Sequence, residues 1–148
     1  PAPATQVAFG DLGLDPAGEY LVYEFWSGRF LGVCRDGFES AAQGPMGLSS
    51  YAIRARQPHP QVVSTSRHLS QGGVDLTDVR WTAATLTLSG RSRVVAGAAY
   101  ELVLFGGEAA SATCDGQAIE ARRTGDVVRV AWTPTCSATQ EWSVQFRR

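Results

Sequence analysis

Trp142, Val144 and Phe146 alternate with Ser143, Gln145 and Arg147. An alternation of period two sorts side chains onto two faces only if the backbone is a strand, with one face buried and the other wet. Thr85–Ser89 repeats the pattern with Leu86 and Leu88. Val128, Val130 and Trp132 line one face of a third run, with Arg129 opposite. Nowhere do apolar residues recur at i, i+3, i+4 and i+7 over a length that would make a helix. Asp36-Gly37, Ser89-Gly90, Asp115-Gly116 and Thr124-Gly125-Asp126 each fall between strand-like runs. These pairs supply the positive φ angles of tight hairpins. The expectation is an all-β chain, an antiparallel β-sandwich with almost no helix. Strands are expected over 5–9, 19–26, 29–34, 46–56, 61–66, 74–81, 84–89, 99–105, 109–114, 117–123, 127–132 and 140–147.

Gln57-Pro58-His59-Pro60 punctuates this series, because paired prolines hold the chain extended. A sub-boundary near 57–60 is therefore possible, with two small domains as the alternative. A single sandwich over 1–148 is preferred, because the first part alone buries little apolar surface.

The chain has 148 residues, 44% hydrophobic and 18% charged, with a net charge of −1. This balance leaves no electrostatic footprint for nucleic acid. All 13 basic residues are Arg. No apolar run reaches the roughly 20 residues that span a bilayer as a helix, so no membrane partner is expected.

Candidate chemistry is sparse. Glycoside hydrolysis uses two carboxyl groups flanking the bond to be broken. Asp15, Asp36, Asp115 and Asp126 are accounted for by turn chemistry. Glu101, Glu120 and Glu141 read as solvent-face strand residues. There is no nucleophile elbow, no phosphate loop, and no His or Cys spacing typical of a zinc site. The chain is therefore read as non-catalytic by itself, with no cofactor and no metal. Cys34 lies in an apolar strand and reads as a buried thiol. If 109–114, 117–123 and 127–132 form an up-down-up meander, Cys114 and Cys136 lie at one end of it. Strands two apart are separated by about 9.5 Å, so the Cys136 loop would have to lean back to close a disulfide. Such a bond would favour a secreted or periplasmic location over a cytoplasmic one.

Trp81, Trp132 and Trp142 share faces with Val or Phe and read as core. Trp26 closes Tyr20–Trp26, a run apolar on both faces; it reads as core, with an inter-domain contact as the alternative. Arg67-His68-Leu69-Ser70-Gln71-Gly72-Gly73 is the densest polar stretch. It is either a plain loop or a hydrogen-bonding hub or interface, with Arg67, His68 and Gln71 as the candidate contacts.

Asp11-Leu12-Gly13-Leu14, then Tyr20–Trp26 and Gly28-Arg29-Phe30-Leu31-Gly32, resembles the C-terminal β-domain of melibiase-like (α-galactosidase-like) bacterial glycoside hydrolases. His59–Gly73 is similar to a longer signature of the same proteins, and Glu141–Phe146 to their closing strand. The likeness spans about residues 8–147. It implies that a (β/α)8 barrel precedes this domain in the parent and carries the catalytic Asp residues, so no catalytic position transfers here. A non-catalytic accessory domain that packs on the barrel and stabilises it is the expectation. A carbohydrate-binding module is the alternative, which a cluster of solvent-facing aromatics would favour.

Overall fold

A computed structural model describes residues 3–42 and 44–147. Strands make up 53% of the described residues, and no α-helix occurs among them. The chain forms two compact units, residues 1–56 and residues 57–148. The division falls at the start of the Pro58–Pro60 segment.

The first unit contains β1 (Gln6–Ala8), β2 (Tyr20–Glu24), β3 (Arg29–Cys34), β4 (Gly37–Glu39) and β5 (Tyr51–Ala55). A single 3-10 turn, Gly10–Leu12, follows β1; Gly13 closes it at φ 74°. Three strands form a sheet in the order β3-β2-β5, and β1 pairs with β4. All five residues of β2 are buried, as its apolar side chains on both faces require of a central strand. Phe9, Tyr20, Val22 and Phe38 form the core, with Phe9 and Tyr20 ring centres 4.6 Å apart. The expected strand 46–56 shortens to Tyr51–Ala55.

The second unit is a β-sandwich. It contains β6 (Gln61–Thr65), β7 (Leu76–Thr82), β8 (Thr87–Val94), β9 (Tyr100–Phe105), β10 (Ala109–Cys114), β11 (Gln117–Ala118), β12 (Glu120–Thr124), β13 (Val127–Trp132) and β14 (Ala138–Phe146). One sheet runs β11-β10-β14-β8-β7 and the other β12-β13-β9-β6, antiparallel throughout. Leu88, Val94, Trp142, Val144 and Phe146 of the first sheet meet Tyr100, Leu102, Leu104, Val128 and Val130 of the second in one core. The alternation at 142–147 thus sorts its residues as expected.

Two expectations are corrected. Ser89-Gly90 is not a turn: Gly90 lies inside β8, directly opposite Trp142. A Cβ at Gly90 would stand 2.6 Å from Trp142 Cζ2, so glycine is needed there because an indole crosses it. The hairpin turn lies earlier, at 83–86, with Leu86 at φ 52°. The meander of 109–132 is also divided. The chain changes sheets at Ile119, so β11 stays with β10 while β12 joins β13. Ile119 packs against the core and its N–H donates to Ala112 O at 3.0 Å, which makes it the corner.

With the meander divided, the premise for a Cys114–Cys136 bond falls away. Cys34, Cys114 and Cys136 are all free thiols, with Cys114 buried and Cys136 exposed. Burial, and then the charge of Asp115, pushes the Cys114 thiol up to about 11. Thiolates, not thiols, react with alkylating reagents. At pH 7.5 the native protein should therefore label rapidly at Cys136 and slowly at Cys114, and denatured unreduced protein should yield three thiols. Mass spectrometry of alkylated peptides reads both; a yield of one thiol would contradict the structure.

Candidate functional site

Among the described residues each unit holds one buried carboxylate, and sequence reasoning singled out neither. In the first unit it is Glu24, the last residue of β2. Its Oε1 accepts from Trp26 N–H at 3.2 Å and Ser50 N–H at 3.4 Å, and its Oε2 from Ser27 N–H at 2.6 Å. Burial alone would raise its pKa; the hydrogen bonds from Ser27, Trp26 and Ser50 outweigh burial and hold it below the ordinary range. The capped turn ends the strand at Glu24 and carries Trp26 beyond it. The core reading of Trp26 is thereby corrected: the residue is 57% exposed, its ring perpendicular to that of Phe25 with centres 5.1 Å apart.

In the second unit the buried carboxylate is Asp75, only 6% exposed. Four donors converge on it. Thr65 Oγ1 and Tyr100 OH donate to Oδ2, each at 2.7 Å. Gly72 N–H, at 2.9 Å, and Ser70 Oγ donate to Oδ1. Burial works to raise its pKa, but the hydroxyls of Ser70, Tyr100 and Thr65 prevail and lower it. Burial, with the Asp75 charge adding to it, raises the pKa of Tyr100. The proton of that phenol stays on the oxygen and points at the carboxylate.

The polar segment 67–73 closes around this centre. Gln71 is buried at φ 44°, and its Oε1 accepts from Ser64 Oγ at 3.1 Å. The Arg67 guanidinium lies over the Tyr100 ring, 5.5 Å from its centre, a cation–π brace. His68 is exposed. The structure thus places Arg67 on Tyr100 and Gln71 on Ser64, and leaves His68 on the surface.

The loop is inverted relative to an ordinary surface loop. Its hydroxyls and its carboxylate turn inward, while Leu69 is 90% exposed and Val74 71% exposed. The network inside holds these two apolar side chains on a fixed frame.

Neither buried carboxylate has the properties of a general acid, which needs a raised pKa and access to substrate. Two carboxylates nearer the surface are ion-paired: Glu101 with Arg129 at 2.5 Å, and Glu141 with Arg91 at 2.8 Å. Trp132 and Trp81 are half-buried against the core, and His59 stacks on Trp81 at 5.6 Å. Among the described residues, no group of three or more His, Cys, Asp or Glu is arranged to hold a metal ion, and no helix is long and apolar enough to cross a membrane.

No family model matches the chain, and no curated protein matches it.

Proposed function

We propose that this chain is the non-catalytic C-terminal accessory domain of a melibiase-like (α-galactosidase-like) glycoside hydrolase, and that it works by packing on the (β/α)8 catalytic barrel of the parent chain and stabilising it. One observation carries the docking role: the outward Leu69 and Val74 flank a loop whose Ser70 hydroxyl and Gly72 N–H are turned inward onto Asp75. Exposed apolar side chains held on a rigid frame mark a contact surface, because the ordering cost of docking is already met. The resemblance of His59–Gly73 to the α-galactosidase-like signature supports the family reading. The residues of that signature that form the network, Ser64, Thr65, Ser70 and Gln71, are the ones a structural loop would need. The all-β sandwich also fits what the resemblance implies.

A carbohydrate-binding role for the 67–73 loop itself is disfavoured. Gln71 is buried, and the Arg67 guanidinium lies over the Tyr100 ring with its Nη2 buried, which limits what either can offer a sugar hydroxyl.

The test is substitution in the full-length gene product. Leu69→Asp with Val74→Asp should lower its melting temperature by several degrees and leave the preference among aryl glycosides unchanged. The same double substitution should leave the melting temperature of residues 1–148 alone unchanged within a degree. Equal effects on both proteins would mean the pair serves the domain's own stability, and the docking role would fail.

A further inference from the structure

We infer that the outer face of the five-stranded sheet is a binding site for a short neutral oligosaccharide, distinct from the docking loop. A groove of about 720 Å³ lies there, and every residue that lines it belongs to this one sheet or its turns. Its volume lies within the range of small-molecule sites. It is open along the surface, as a chain-like ligand requires.

The floor follows from strand register. Arg80 pairs with Ser89, Ser89 with Ser143, and Ser143 with Thr113. Directly paired residues share a face, so these four side chains form one line across β7, β8, β14 and β10. Ser89 and Ser143 each lie between inward residues, Leu88 and Gly90 in one strand and Trp142 and Val144 in the other, which turns their hydroxyls outward. With strands about 4.8 Å apart, the line is roughly 14 Å long. None of the four side chains has a protein hydrogen-bond partner among the described residues. They offer donors and acceptors to solvent at regular spacing.

The wall beside this floor is internally paired. Arg91 Nε and Nη2 donate to Glu141 Oε1 at 3.0 and 2.8 Å, and Arg91 Nη1 is 3.5 Å from Asp78 Oδ2. Asp115 accepts from Glu141 N–H at 2.8 Å and from Gln140 Nε2 at 2.9 Å. Three carboxylates against two guanidinium groups, Arg80 included, leave a net charge of −1 in the groove. That balance favours neither an anion nor a multivalent cation. Val79 is the one large aliphatic side chain of the lining, too little for an apolar peptide. A ligand that fits must be neutral and carry many groups that both donate and accept. Sugar hydroxyls meet that description, because each can donate to a carboxylate or serine oxygen and accept from a guanidinium or hydroxyl.

The experiment titrates the whole chain with neutral hexasaccharides derived from galactan, mannan, xylan and cellulose, and with a polyuronide of equal length, by calorimetry and by amide chemical-shift mapping. At least one neutral hexasaccharide is expected to bind saturably, with micromolar to low-millimolar Kd, and to shift Ser89, Thr113 and Ser143 but not residues 67–75. Ser143→Arg, which fills the floor, should weaken that binding at least tenfold. Thr113→Val, which removes one hydroxyl while keeping the side-chain shape, should weaken it about threefold with an unchanged melting temperature. Absence of binding to all four, stronger binding of the polyuronide, or shifts confined to another face would overturn the proposal. Leu69→Asp/Val74→Asp should leave saccharide affinity unchanged, so failure of this site and failure of the docking role are separable.

Discussion

Asp75→Ala is expected to destabilise residues 57–148 by about 3–5 kcal/mol, the range found when one partner of a buried charged network is deleted. The substitution leaves Thr65 Oγ1, Ser70 Oγ, Tyr100 OH and Gly72 N–H without an acceptor, and buried unsatisfied donors carry most of the cost. Tyr100→Phe removes only one of these donors and leaves the carboxylate satisfied by the others. Its expected loss is smaller, about 1.5 kcal/mol. The pH dependence has a definite sign. A carboxyl group whose folded pKa is depressed contributes stability above its unfolded value, near 3.9, and loses it as pH falls through the lower folded value. Asp75 is such a group. Wild-type stability should therefore fall below about pH 4, and Asp75→Asn should flatten that slope. Urea unfolding followed by tryptophan fluorescence between pH 3 and 7 measures both. An Asp75→Ala variant within about 0.5 kcal/mol of wild type would show the network to be unimportant.

Gly90→Ala is expected to cost about 2 kcal/mol, although alanine is ordinarily the better strand residue. The new methyl would lie 2.6 Å from Trp142 Cζ2 and 3.2 Å from Val79 Cγ2. Trp142 is 2% exposed, so relief requires displacement of core atoms. The penalty should shrink to less than about 1 kcal/mol in a Trp142→Phe background, where the smaller ring leaves room, and a double-mutant cycle isolates that coupling. Equal penalties in both backgrounds would place the strain elsewhere.

These two sites also mark what the sequence disclosed and what it withheld. The strands of the sandwich were legible where the buried face is apolar, as at Trp142, Val144 and Phe146; the 90–94 part of β8 was not, because its inward Gly90 and Ser92 carry no apolar side chain. Gly90 was misread as a turn because Ser-Gly is ordinary turn chemistry, and the indole that demands a glycine comes from 52 residues further along the chain, across the sheet. The same non-locality hid Asp75. Between Val74 and Leu76 it looks like any strand-edge acid, and two of its donors come from Thr65 and Tyr100 on other strands. The polar density of 67–73 is local and left two readings open for Arg67 and Gln71, a plain loop or a hub. The carboxylate centre left no such trace. Trp26 was assigned to the core from the apolar run before it. The carboxylate of Glu24 ends that run, and a side chain capping its own turn leaves no periodic trace. The outer-face groove was invisible for another reason: Arg80, Ser89, Thr113 and Ser143 become a line only once strand order and register are known.

The most direct measurement of the accessory role is hydroxyl-radical footprinting of Leu69 and Val74 in residues 1–148 alone and in the full-length gene product. In the isolated chain both side chains are open to solvent and should label at the rates of exposed Leu and Val. If the loop is a docking surface for the barrel, their labelling in the full-length protein should fall at least fivefold, while that of the exposed Val95 should not change. Equal labelling of Leu69 and Val74 in the two proteins would contradict the docking role.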